Sequence, residues 1–168
     1  ERTNTNGSKK FKEAIISGNI DTCAAMGREQ VKEGSHVVDV CVDYVGRDGV
    51  PDMSAVVHRF AKDVTAPLMI DSTQLDVIEA GLKAAPGKCI VNSINLEDGE
   101  ERFEHVLPLA RKFGAALVVG TIDDDPQQGM GVTRQRKLEI AERSYRLLTE
   151  KYGIAPEDIY WDPLVFPC

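Results

Sequence analysis

Short apolar runs that each close on an acidic or amide side chain, and are each followed by a helical pattern, predict an α/β fold of consecutive βα units. The architecture expected is a partial TIM (β/α)8 barrel, whose functional groups stand at the carboxyl ends of its strands. Three observations carry this. The runs VVDVCVD, PLMIDST, CIVNSIN, ALVVGTI and IYWDP bring Asp39, Asp71, Asn92, Asp123 and Asp162 to or just beyond strand ends. Amphipathic segments lie between them, and Gly or Pro precedes each new strand. An open doubly wound sheet also uses parallel strands, but it gathers its ligand in a crevice at a switch point rather than on a ring of polar termini.

Taken in order, a first helix is expected from about Asp21 as N-cap, through Ala24, Ala25 and Val31, to Gly34, which suits the left-handed residue after a helix. Strand 36–42 follows. Val56, Val57, Phe60 and Ala61 mark a helix over 52–62, and Ala66-Pro67 leads into strand 68–70, closed by Asp71. Ser72 or Thr73 is placed to cap a helix carrying Leu75, Ile78 and Leu82, which Pro86-Gly87 stops before strand 89–91. After Asn92, Phe103, Val106, Leu107 and Ala110 share a face of a helix over 99–113, and Gly114 ends it before strand 115–119. The last helix is expected from Thr133 to Gly153, with Leu138, Ala141, Tyr145 and Leu148 buried and the RQRK run solvated. Pro156 then turns the chain into strand 159–161, and Asp162-Pro163 closes it.

The chain has 168 residues, too few for the eight units and ~250 residues of a full barrel. It reads as one domain, residues 1–168, truncated at both ends, with the barrel's first strand and its strands 7–8 missing. A formal net charge of -7, with Lys and Arg scattered, disfavours nucleic acid as a partner. No apolar run approaches the ~18 residues that span a bilayer, and ERTNTNGSKK is too polar for a signal peptide, so no membrane partner and a cytoplasmic location are expected. Cys23, Cys41, Cys89 and Cys168 are widely spaced with no CxxC, which argues against a structural zinc site and for buried free thiols, although Cys168 has no sequence context beyond it.

Asp71, Asn92 and Asp162 supply planar acceptors and an amide that both donates and accepts, a set suited to the edge of a flat heterocycle with ring N–H, amino and carbonyl groups. A carboxylate can take two parallel N–H bonds from a 2-amino-pyrimidinone. The plainer reading makes Asp71 part of a helix cap and Asp162 part of an Asp-Pro turn. A third reading, a divalent metal held by strand-end carboxylates as in barrel lyases, is weakened by the neutral Asn92 in a central position.

The segments ERTNTNGSKKF, DVCVDYVGRDG, PLMIDST, VIEAGLK, GKCIVNSINLEDGEERF, GAALVVGTIDDD and DIYWDPL span the chain and resemble the pterin-binding (methyltetrahydrofolate) domains of cobalamin-dependent methionine synthases. The wider superfamily, with dihydropteroate synthase, shares the Asp, Asn and Asp strand ends. The resemblance implies a methyltransferase part that binds 5-methyltetrahydrofolate and offers its N5 methyl group to cob(I)alamin on a separate domain of the same polypeptide. Homocysteine and zinc would belong to another module, and this stretch alone would be inactive. It further implies that Asp71, Asn92 and Asp162 hydrogen-bond the pterin and that Glu1 lies near it, with Asp39 and Asp43 as possible contacts. No residue of the chain is implied as a metal ligand, and the family's N5-binding asparagine would lie beyond residue 168. The loop Asp123–Asp125 is expected to be a solvated turn. Alternatives are a dihydropteroate synthase-like pterin enzyme, disfavoured by the ERTNTNGSKK loop, and a carboxylate-metal barrel lyase.

Overall fold

The computed structural model describes residues 2–165, so Glu1 and Cys168, both singled out above, lie outside the described residues. The chain is organised as two compact units, Glu1–Val91 and Asn92–Cys168. The order of elements is α/β, as the sequence predicts, and its paired strands are parallel. No helix among the described residues is long and apolar enough to cross a membrane.

The first unit begins with residues that pair beside a strand. Thr5 N donates to the Cys41 carbonyl at 3.0 Å and Cys41 N to the Thr3 carbonyl at 3.1 Å, so Asn4 forms a parallel bridge with Cys41. Helix α1 (Lys9–Ile16) then starts at Ser8, whose hydroxyl accepts from Phe11 N, and buries Phe11, Ala14 and Ile15. This helix is absent from the sequence-based expectation, although Ser8 ahead of apolar residues at spacings of three and four is a helix signal. Helix α2 (Ile20–Lys32) is capped by Asn19 rather than Asp21, because the Asn19 side chain reaches Thr22 N. Strand β1 (Val38–Val40), α3 (Gly49–Asp63), β2 (Leu68–Asp71) and α4 (Leu75–Ala84) follow.

Strands β1 and β2 pair in parallel with Val38 opposite Leu68, Asp39 opposite Met69 and Val40 opposite Ile70. Burial alternates along both, so Val38, Val40, Leu68 and Ile70 share the more buried face while Asp39, Met69 and Asp71 share the other. The buried face packs on helices. A Cβ at Gly81 in α4 would stand 2.8 Å from Ile70 Cγ2 and 3.1 Å from Met53 Cγ of α3, so that glycine lets helix and strand approach closely.

The second unit takes over within β3 (Ile90–Ile94), followed by α5 (Glu101–Phe113), β4 (Ala116–Gly120), α6 (Arg134–Arg146) and β5 (Ile159–Asp162). Helix α5 stops where predicted, because Gly114 adopts φ 64° and its N–H returns to the Ala110 and Arg111 carbonyls. Thr133 caps α6, its hydroxyl accepting from Arg136 N. The helix ends at Arg146 and passes into a π turn over Leu147–Lys151, so the expected single helix to Gly153 is two pieces. Strands β4 and β5 are parallel, pairing Leu117 with Ile159, Val118 with Tyr160, Val119 with Trp161 and Gly120 with Asp162.

Gly81→Ala tests the close approach of α4. Alanine gains about 1 kcal/mol of helix propensity, but overpacking a core typically costs about 1–3 kcal/mol, so a net loss of about 1 kcal/mol is expected in urea denaturation. A stabilised variant would contradict the close packing.

Candidate functional site

In the first unit, the face of β1 and β2 turned away from the helices carries Asp39 and Asp71, and the bridge to Cys41 delivers Asn4 beside them. The Asn4 Nδ2 amide donates to Asp39 Oδ2 at 3.2 Å and to Asp71 Oδ2 at 3.1 Å. Its own carbonyl oxygen accepts from Asn6 N at 2.8 Å and Gly7 N at 3.2 Å, which turns the amide toward the acids. Sequence reasoning missed Asn4. The signal was its place in the polar ERTNTNG run, but only the pairing with Cys41 shows which strand it joins.

This arrangement loads Asp71. Its pKa rises from the ordinary 3.8 to about 6, chiefly through burial and then through the like charges of Asp39 and Asp43, against the lowering effect of hydrogen bonds from Cys41 and Asn4. Burial, with Asp71 and Asp43 nearby, also pushes the Cys41 thiol up to about 12, so it stays a protonated donor at neutral pH. Asp71 therefore does not cap the helix that follows. Ser72 and Thr73 do not cap α4 either, since the N-cap is Gln74 with no side-chain cap.

Asp43 has neighbours of another kind. Its two oxygens accept from the Ser72 hydroxyl at 2.9 Å, from Thr73 N at 3.2 Å and from Gln74 Nε2 at 3.4 Å. It thus ties the loop after β1 to the loop after β2. Beside it a cleft of about 540 Å³ is lined by Asn6, Lys12, Tyr44, Arg47 and Gln74 among others, with Lys12 Nζ 4.1 Å over the Tyr44 ring.

In the second unit, Asn92 stands inside β3, not after its end as the sequence suggested, and its side chain is half-buried. The Asn92–Ser93 peptide is cis, and the Ser93 carbonyl accepts from Arg102 at 3.4 Å. Asp162 closes β5 and is exposed. Its carbonyl accepts from Thr121 N at 3.0 Å, while its Oδ1 accepts from Leu164 N at 2.8 Å, so the Asp-Pro turn does engage one carboxylate oxygen. Lys137 Nζ holds that turn from outside through the carbonyls of Pro163 and Leu164.

The 123–125 loop departs from the expected solvated turn at its first residue. Asp123 is buried, with Arg136 Nη2 at 2.5 Å from Oδ1 and Arg143 Nη1 at 3.4 Å from Oδ2. Asp124 and Asp125 are exposed, and Arg143 pairs with Asp124 at 2.5 Å. The RQRK run is accordingly not a free solvated face. These ion pairs turn α6 so that Ile140, Ser144 and Leu148 are buried while Leu138 and Tyr145, both expected inside, are 43% and 42% exposed.

The match to known proteins follows these features. The chain matches the pterin binding enzyme family over residues 1–168, and it belongs to that family. It is 45% identical to the methionine synthase of Mycobacterium tuberculosis and 44% identical to that of Mycobacterium leprae, in each case over 99% of this chain. The chain spans only 14% of those relatives' length. Among solved structures it resembles a Yersinia pestis dihydropteroate synthase in complex with a sulfonamide drug, with TM-score 0.64 and 14% identity over 97% of this chain and 58% of that one. A Xanthomonas albilineans dihydropteroate synthase gives TM-score 0.65 and 15% identity over 89% and 55%. At such identity the likeness shows the fold, which is that of TIM-barrel-like pterin-binding proteins.

Two outcomes test this electrostatic picture. Because the folded-state pKa of Asp71 lies above its ordinary value, the native state holds extra proton between pH 3.8 and about 6, and stability falls as pH rises through that window. Asp71→Asn should therefore raise the denaturation midpoint at pH 8 and lose that advantage by about pH 4, and a pH-independent difference would refute the assignment. Arg136→Met leaves the buried Asp123 with the longer Arg143 contact and the Asp125 N–H in place of its close cation, and a loss of about 3 kcal/mol is expected in urea denaturation. A neutral result would return Arg136 to the surface.

Proposed function

We propose that this chain binds 5-methyltetrahydrofolate and, as part of a methionine synthase polypeptide, acts in transfer of the N5 methyl group to cob(I)alamin carried by a separate domain. Its family and its 44–45% identity to methionine synthases support this reading. The observation that carries it is Asp71, a carboxylate on the helix-free face of β2 whose charge is disfavoured by burial and by two neighbouring acids. Such a group is better satisfied by a ligand that brings paired N–H donors than by the protein alone, and the 2-amino-pyrimidinone edge of a pterin has that pair.

In this reading Asp71 and Asp162 accept from the ring's N–H groups, and the Asn92 amide donates to one ring atom while accepting from another. Glu1 is assigned a place near the ring, and Asp39 contributes through Asn4. Asp43 has its loop contacts as a competing occupation. These groups lie at the pyrimidine edge, away from the N5 methyl, so they act by orientation. Cobalamin supplies the nucleophile that accepts the methyl group, and cobalamin, homocysteine and zinc are assigned to other parts of the parent polypeptide, which in the relatives is about seven times longer than this chain.

Calorimetric titration with 5-methyltetrahydrofolate tests the proposal. Asp71→Ala and Asp162→Ala should each weaken binding by about 1–3 kcal/mol, the cost of leaving a buried polar ligand group unpaired. Wild-type affinity should fall as pH drops through about 6, where Asp71 takes up a proton, and Asp71→Ala should lose that dependence. Asn92→Asp keeps the size but removes the donor, so folate affinity should fall as well. Tighter Mg²⁺ or Mn²⁺ binding by that variant, with no folate binding by either protein, would instead establish a carboxylate-metal site.

A further inference from the structure

The glycines of this chain fall into groups with different physical causes. Six of them, Gly114 among them, hold positive φ, and Gly81 and Gly129 are required by close neighbours, the latter by the Asp123 and Asp125 carbonyl oxygens at 2.5 and 2.7 Å from its added Cβ. Gly120 fits neither group. It is buried and its φ is not positive, and a Cβ there would meet only Asn95 Cβ at 3.7 Å and the Ile94 carbonyl at 3.9 Å, which are ordinary contacts. Nothing inside the protein demands a glycine at this point, although a glycine within a strand forfeits side-chain packing and backbone order.

The register explains what a side chain would obstruct. Gly120 is the last residue of β4 and pairs laterally with Asp162, the last residue of β5, so their side-chain directions lie on the same face. Two residues back on that face stand Val118 and, opposite it, Tyr160, which is 51% exposed. Val118 and Tyr160 make an apolar approach, Asp162 an acceptor, and Gly120 a bare stretch of backbone beside that acceptor. A glycine within a strand often marks a place where a ligand approaches the backbone closely.

We infer that Gly120 is a specificity-determining position: its missing side chain leaves the space beside Asp162 in which the face of a flat heterocycle, the pterin, rests against the β4 backbone. This rests on the proposed role of Asp162 in folate binding. A single methyl group at Gly120 would make only ordinary contacts with Asn95 and Ile94, so it intrudes on the ring's place without overpacking the protein, and a larger residue intrudes further.

The test compares Gly120→Ala and Gly120→Val with the wild-type chain, reading thermal midpoint and 5-methyltetrahydrofolate affinity together. Valine should lower affinity on the order of tenfold or more, as misplaced methyl groups do in fitted pockets, and alanine by a smaller factor. The alanine variant should keep or raise the thermal midpoint, because replacing a glycine that needs no special φ reduces the freedom of the unfolded chain. If valine also unfolds the protein, the alanine variant decides. Loss of affinity with an unchanged or raised midpoint supports the assignment, whereas wild-type affinity in alanine overturns it while leaving the folate reading intact. A wild-type chain that binds no methyltetrahydrofolate overturns the folate reading and the assignment with it.

Discussion

A neutral amide set between two carboxylates is the interaction on which the first unit turns. Asn4 Nδ2 reaches Asp39 and Asp71 at once, and it can do so only because residues 3–5 pair with the chain at Cys41 and because β1 and β2 are in parallel register. Without that donor, two acids on one face of adjacent strands would meet with little between them, and one would protonate or turn away. With it, Asp71 is mostly ionised at neutral pH, at a cost to the fold. The same side chain is the group proposed to receive the ligand's N–H pair, so the strain on stability and the capacity to bind have one origin.

The second unit meets a related demand differently, with full charges. Asp123 is neutralised by Arg136 and Arg143 across from α6, and the same helix sends Lys137 to the carbonyls that follow Asp162. One rotation of α6 therefore satisfies a buried acid, covers Ile140 and Leu148, and braces the turn that closes β5. A buried ion pair adds little net stability over an apolar alternative, but it penalises other rotations of the helix strongly, since each would leave Asp123 without its cations.

The comparisons separate scaffold from chemistry. Dihydropteroate synthases share the fold at 14–15% identity, so strand-and-helix order of this kind tolerates almost complete replacement of side chains. The functional reading rests instead on the 44–45% identity to methionine synthases and on the side chains that stand on and beyond the strands of this chain. Asp43 illustrates the distinction, because both of its oxygens are engaged in fastening one loop to the next.

Much of this was determined by sequence alone. The alternation of apolar runs with amphipathic segments, Gly114 as a helix stop, Thr133 as a helix start and the burial of Cys23, Cys41 and Cys89 were legible in the sequence, and each is present in the structure. Tertiary structure decided what depends on partners far along the chain. Asn4 meets residues 35 and 67 positions away, Asn92 proves to lie within its strand rather than after it, and Asp39 stands in mid-strand. The buried face of α6 was misread because its apolar periodicity is weak, and ion pairs to Asp123 outweigh the exposure of Leu138 and Tyr145. Periodicity reports which residues share a face, but which face turns inward is set by the charges and backbone groups that wait on the other side.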